Sequence, residues 1–273
     1  MTARALLLLR LLLMAALFPA LAGCAAPQSG GEALQRGDLA HGDASAPVEV
    51  AWATLDQAIV RPGMIVRTEA RDCLANYLFV RPDNGAVFLG TTAYCVRDMP
   101  IGSAALAGSD TDIAILVYSS MQTMADLGES DTDALEYNDL ALFHLDSSTV
   151  RKANPTLPLV GGPRAVADGS APALGSRVRA FSPAQTVPGA PEWRDGVVAG
   201  RGGDWALMTY QAPPTAPGAM GGAAIDGAGD ALGVVVTLGV KPNPGANAVA
   251  RLDTMLSYAR EQGGMPIVLA TPP

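Results

Sequence analysis

Lysine is nearly missing from these 273 residues: Lys152 and Lys241 are the only two, in a chain whose formal charge is −8. With so few cations to neutralise phosphates, no nucleic-acid partner is expected. Histidine is equally scarce, at His41 and His144, and cysteine is limited to Cys24, Cys73 and Cys95. Aromatic residues make up only 5%, yet hydrophobic residues of all kinds make up 49%, enough to bury one large core or two small ones. The leading apolar run, Leu6 to Leu17, is too short for a stable membrane span. What is abundant is glycine, 30 residues, and proline, 21. That composition favours many short strands joined by turns over long helices, and so an all-β chain.

The run from Leu6 follows Arg4, contains Arg10 and ends at small residues, the pattern of an export signal over residues 1–23. Its close, Leu21-Ala22-Gly23-Cys24, resembles a bacterial lipobox, which implies that Cys24 becomes the lipidated first residue of the mature protein. Two acyl chains on that cysteine would suffice for stable anchoring. Loss of Arg4 and Arg10 with the leader takes the formal charge from −8 to −10. Residues 24–47 are Gly, Ala, Ser, Asp and Gln with almost no large apolar side chain, so a flexible tether is expected, with His41 as a solvated linker residue. With Cys24 assigned to lipid, Cys73 and Cys95 remain either to pair outside the cytoplasm or to stay as two buried thiols.

From residue 48 the hydrophobic pattern alternates, with Val48, Val50 and Trp52 on one face and Met64 to Thr68 following the Pro62-Gly63 turn. Cys73 to Val80 reads as one strand, Arg81 to Gly85 as a hairpin turn and Ala86 to Thr91 as its partner. Such a hairpin brings its ends together, and those ends carry Cys73 and Cys95. Residues 121–137 hold Asp126, Glu129, Asp131, Asp133 and Glu136 without the twelve-residue calcium-loop spacing; a solvated acidic loop is expected, and no metal site. The Pro- and Gly-rich stretch 153–163 marks a crossing between an N-terminal unit, 48–155, and a C-terminal unit, 156–273. In the latter, 177–181, 196–199 and 205–210 read as strands, Asp226 to Asp230 as a hairpin tip and Ala231 to Leu238 as a strand. Asn247 is placed to cap a helix over 248–262, with Val249, Leu252, Met255, Leu256 and Ala259 on one face and Gly263 as its stop.

Three segments in order carry a family resemblance: Gly90-Thr91-Thr92-Ala93-Tyr94-Cys95, Asn138-Asp139-Leu140-Ala141-Leu142 and Pro217-Gly218-Ala219-Met220-Gly221-Gly222. They resemble the His, Asp and Ser segments of the trypsin-like serine peptidases, in a bacterial secreted branch. The resemblance spans roughly Cys73 to the C-terminal helix and implies a two-barrel, chymotrypsin-like fold with a terminal helix. It also implies a Cys73–Cys95 disulfide. Asp112, in Asp112-Ile113-Ala114-Ile115-Leu116, competes with Asp139, but it follows Tyr94 by only 18 residues, too few for the intervening strands, whereas Asp139 follows by 45. His144 lies an odd five residues beyond Asp139, which points the two side chains to opposite faces of one strand and argues against a replacement triad.

At two of the three triad positions the family's residue type is replaced. Tyr94 stands where the family has its general base, and a phenol of reference pKa near 10 is protonated at neutral pH. Met220 stands where it has the nucleophile, and a thioether has no acidic proton and forms no acyl-enzyme. Ala219 replaces the preceding Asp. The family's oxyanion hole, made of backbone N–H groups, maps to Gly218 and Met220, with the Met220 side chain filling the place of a substrate carbonyl. The Tyr94 hydroxyl is expected to donate to Asp139 in place of the imidazole. The sequence thus predicts an inactive peptidase homologue on the extracytoplasmic side of a cell-envelope membrane, without cofactor, holding a protein or peptide partner in the cleft between barrels. Two alternatives stand beside it: an active peptidase with a non-standard site, and an unrelated β-rich binding lipoprotein.

Overall fold

Short strands separated by Gly- and Pro-bearing turns dominate the chain, as the composition requires. The computed structural model describes residues 49–69, 71–107, 113–168, 172–183, 191–212, 220–240 and 245–273. The proposed leader, Cys24 and the tether lie outside the described residues. The first half contains β1 (Ile65–Arg67), β2 (Asp72–Leu74), β3 (Leu78–Val80), β4 (Val87–Thr91), β5 (Ala104–Ala107) and β6 (Ile113–Ser119), then α1 (Ser120–Leu127), α2 (Thr132–Tyr137), β7 (Ala141–Leu145) and α3 (Ser147–Val150). The second contains β8 (Arg177–Pro183), β9 (Pro191–Gly202), β10 (Ala206–Ala212), β11 (Ala223–Asp226), β12 (Ala231–Val240), β13 (Ala246–Arg251), α4 (Leu252–Glu261) and β14 (Val268–Leu269).

The first eight-stranded sheet runs β14-β3-β4-β7-β6-β5-β1-β2. If it were flat, β2 and β3 would stand six strand spacings apart, roughly 29 Å. Yet only residues 75–77 join them, and four Cα steps span at most about 15 Å. The sheet therefore curls until its ends meet. Hydrogen bonds show the seam: the Ala75 N–H donates to Met64 O on the β1 side, and the Asn76 N–H donates to Gly90 O on β4, both at 2.9 Å. The single strand expected over 73–80 is thus two strands with a bend between them. Cys73 and Cys95 form a disulfide across 22 residues, fastening the bend to the turn after β4.

The second sheet is a closed six-stranded barrel, β10-β13-β12-β11-β8-β9. Its interior is aliphatic, built from Val178, Ala180, Val198, Leu207, Ala224, Leu232, Val235 and Val249. Gly233 shows how tight it is: a Cβ there would stand 1.9 Å from the Ala250 carbonyl. Between the two sheets lies the aromatic part of the core, with Tyr77, Phe79, Phe88 and Tyr118 from the first and Trp205, Met208 and Ile225 from the second. The buried Tyr77 hydroxyl donates to Ala224 O at 2.7 Å and lies 3.0 Å from Gly233 O, tying β11 and β12 to the bend of the first sheet.

Several expectations are corrected. Residues 246–251 are a strand, not the start of a helix: all six are buried, and Asn247 caps nothing, its side chain hydrogen-bonding Gln211 inside the barrel wall. The helix begins at Leu252 and buries Leu252, Met255, Tyr258 and Ala259. Residues 49–52 form no strand, although Val50 and Trp52 still pack on the first core. The acidic stretch 121–137 is not an open loop but α1 and α2. Asp131 starts α2 by accepting the Asp133 N–H, which satisfies one of the free amides at a helix start. Finally, Val268 and Leu269, expected with the second unit, return to pair with β3 of the first.

Candidate active site

Asp139 stands in the segment 138–140 just before β7, not on the strand itself, and α1 holds that segment in place. The Ser120 N–H donates to Leu140 O, while the Ser120 hydroxyl donates to Asn138 O at 2.6 Å and accepts the Leu140 N–H at 3.1 Å. Asp139 itself is 8% exposed. Its carboxylate accepts the backbone N–H of Tyr94 at 2.6 Å, with a further contribution from the Ala93 amide. Burial disfavours the charged form and pushes its pKa up to about 6, against the lowering effect of those amides.

Tyr94 lies in the turn that follows β4, where the Cys95 N–H donates to Thr92 O and the Val96 N–H to Ala93 O. The turn aims the Tyr94 amide at Asp139 and sends the side chain outward, leaving the residue 49% exposed. The Arg97 guanidinium stacks 4.1 Å from the ring centroid and donates to Tyr94 O. The expected hydroxyl-to-carboxylate bond is therefore absent among the described residues. The main chain of residue 94 does what the side chain was expected to do.

Met220 comes from the opposite barrel, at the turn before β11. The Gly221 N–H donates to Val235 O at 2.7 Å and the Val235 N–H returns to Gly222 O. Gly221 has φ of +91°, and a Cβ there would stand 3.1 Å from the Leu74 carbonyl, so this turn needs glycine both for its backbone and for its approach to the first sheet. Ala219 and the proposed oxyanion-hole residue Gly218 lie outside the described residues.

Tyr94, Asp139 and Met220 line one cavity of about 370 Å3, together with Met121, Leu135, Glu136, Asn138 and Val236. The sequence reading did not foresee the last five. Met121 lies on α1, and Leu135 and Glu136 on α2, helices hidden in what read as a loop. His144 packs instead on Phe88, ring centroids 5.6 Å apart, and does not line the cavity. Among the described residues there is no cluster of three or more metal-ligating side chains.

A curled strand sheet and a closed barrel, with cavity walls drawn from both and a helix near the C-terminus, match solved serine proteases. Thermobifida fusca protease A superposes with a TM-score of 0.51 at 16% identity, covering 78% of this chain and 99% of that one. The chain has the chymotrypsin-like fold. A Nocardiopsis protease is similar over 77% of this chain and 98% of its own, at 18% identity and a TM-score of 0.49. No family model matches the sequence, and no curated protein does. The cavity of this fold is lined by the Tyr94 turn, the Met220 thioether and the buried Asp139 carboxylate.

Proposed function

We propose that this protein is a catalytically inactive relative of the trypsin-like serine peptidases, exported, anchored through Cys24 and retained as a binding or scaffold module. The observation that carries this reading is the cavity itself: Tyr94, Asp139 and Met220 come together from two sheets, and among the described residues no imidazole, hydroxyl nucleophile or thiol lines the space beside Asp139. Without a base to take a proton and a nucleophile to form an acyl-enzyme, the triad mechanism has no first step. Fold alone does not assign a task. The lost chemistry together with a retained cavity favours binding.

Incubation with a mixed peptide library and a fluorophosphonate probe tests this. No turnover and no labelling are expected from the native chain. The triple substitution Ala219→Asp, Met220→Ser, Tyr94→His is expected to gain both, because it restores base and nucleophile to a cavity that already holds the acid. Fluorophosphonate-sensitive turnover by the native chain would overturn the reading in favour of an active peptidase with a non-standard site. For the anchor, Cys24→Ser is expected to move the protein from the membrane fraction to the soluble extracytoplasmic fraction.

A further inference from the structure

Asp139 is a buried carboxylate without a counter-charge. Its Oδ1 accepts the Tyr94 N–H at 2.6 Å. Its Oδ2 accepts no hydrogen bond among the described residues, yet it is not sealed off by its neighbours: the residue is 8% exposed and lines the cavity. The influences on this carboxylate are burial and the Tyr94 and Ala93 amides, and no cation is among them. Arg97 does not line the cavity and is engaged with the Tyr94 ring, the Tyr94 carbonyl and Asp98. The other charged lining residue, Glu136, is also acidic; it is exposed and lies beside the Tyr137 hydroxyl. A carboxylate taken out of water with no cation beside it is costly to keep. Apart from Asn138, the rest of the wall comes from Met121, Leu135, Met220, Val236 and Tyr94, and Met121, Leu135 and Tyr94 are exposed at the rim.

We propose that this cavity receives a basic side chain, lysine or arginine, of a partner protein. This rests on the reading of the site as a non-catalytic binding surface. The cationic head donates to the open Asp139 Oδ2, a charge-assisted bond that gains strength where water is scarce. The methylene stem lies along Met121, Leu135, Met220 and Val236, as the stems of long basic side chains do on apolar surface, and the two thioethers adapt to its shape. A wholly apolar side chain in the same place would cover Oδ2 and leave it unpaired. A hard metal ion is no better matched, because one open carboxylate oxygen among thioethers and aliphatic groups is far from the shell of oxygens that calcium needs. The outward turn of the Tyr94 side chain leaves the space beside Asp139 free for such a guest.

The test uses the full-length protein in detergent and end-capped, rhodamine-labelled peptides that differ at one central residue, read by fluorescence anisotropy and checked afterwards by mass spectrometry. With lysine or arginine at that residue, binding at pH 7.5 is expected to be about tenfold or more tighter than with the neutral counterparts norleucine and citrulline. Of the elements around Asp139, α2 brings the charge of Glu136 and the Tyr94 turn that of Arg97, while α1, β12 and the turn before β11 bring only Met121, Val236 and Met220. Lowering the pH from 7.5 to 5 protonates Asp139, whose pKa burial holds at about 6, and is expected to weaken the lysine peptide by about tenfold and the norleucine peptide hardly at all. Asp139→Asn keeps an acceptor for the Tyr94 N–H and is expected to abolish both the preference for a cation and its pH dependence. Should that variant fail to fold, Leu135→Lys at the exposed rim supplies a competing cation and is expected to weaken the lysine peptide by about threefold. Equal binding of the neutral peptides, no binding at all, or binding of free spermidine in place of both basic peptides would overturn the proposal and leave the non-catalytic reading standing. Cleavage of a peptide would overturn that reading instead.

Discussion

The two sheets solve the same closure problem by opposite means. The first closes through a bent strand and a disulfide, around sizeable side chains such as Leu78, Leu89, Leu116, Phe143 and Leu145. The second closes by hydrogen bonds alone, around alanine, valine and two leucines but no aromatic ring, with glycine where backbones nearly touch. The site divides along the same line. From the first sheet come Asp139 and the Tyr94 amide, fixed by several hydrogen bonds; from the second comes Met220, on a turn that depends on a glycine. The first half holds Asp139 as a buried acceptor, and the second presents Met220 on a turn that needs glycine.

The largest predicted effect falls on the second barrel. Gly233→Ala places a methyl 1.9 Å from the Ala250 carbonyl, a backbone atom that cannot move without opening the β12–β13 pairing. A loss of about 4 kcal/mol or more, read by thermal or denaturant unfolding, is expected. A near-normal melt would show that hydrogen-bond closure tolerates slack and that the contrast between the sheets is false.

For the first sheet, the corresponding test is the double substitution Cys73→Ala, Cys95→Ala. A covalent loop across 22 residues restricts the unfolded chain, and its loss is expected to cost about 3 kcal/mol. The paired control is reductant, which should destabilise the native protein by a similar amount and leave the double variant unchanged.

Asp139 gives a smaller effect with a distinct sign. Its pKa rises from 3.8 to about 6 on folding, so the native state binds a proton more tightly than the unfolded chain. Stability from this group is full below about pH 4 and falls as pH rises to about 6, by up to roughly 3 kcal/mol. Asp139→Asn keeps an oxygen to accept the Tyr94 N–H and carries no charge. It is expected to flatten the stability profile between pH 4 and 6 and to gain about 2 kcal/mol at pH 7.5, measured by denaturant titration across pH. A profile unchanged by the substitution would mean that the carboxylate is not penalised by burial.

The sequence made some of this arrangement readable and concealed the rest for physical reasons. Strands flanked by Gly- and Pro-bearing turns stood out, as did the hairpin that carries Cys73 and Cys95, because turn chemistry is local. Asp139 was chosen over Asp112 by spacing, and it does line one cavity with Tyr94 and Met220. The strand–helix boundary at Arg251 was concealed because Val249, which serves the barrel interior, falls in helical spacing with Leu252, Met255 and Ala259, which are buried in the separate core between the sheets. Helices α1 and α2 were concealed by their polar residues, and with them Met121, Leu135 and Glu136. Asn138 carries no periodic signal at all; only the bend held by Ser120 brings it to the cavity.

The smallest predicted effect bears most directly on how the acid is kept. Read from sequence, a tyrosine in place of the histidine suggests a hydroxyl bonded to Asp139, and removing such a bond to a buried carboxylate would cost about 1–3 kcal/mol. In the folded chain the Tyr94 side chain is 49% exposed, and the Asp139 oxygen is already met by the Tyr94 main chain. Tyr94→Phe retains that amide and a ring face for Arg97, so its expected effect is within about 0.5 kcal/mol of zero. The pH profile set by Asp139 should also stay in place, since no proton donor to the carboxylate has been removed. If instead Tyr94→Phe shifted the Asp139 profile upward in pH and cost more than about 1 kcal/mol, the hydroxyl would have to reach the carboxylate in solution. The first sheet's hold on its acid would then depend on a side chain, and Tyr94 would be a true substitute for the missing base in position if not in chemistry.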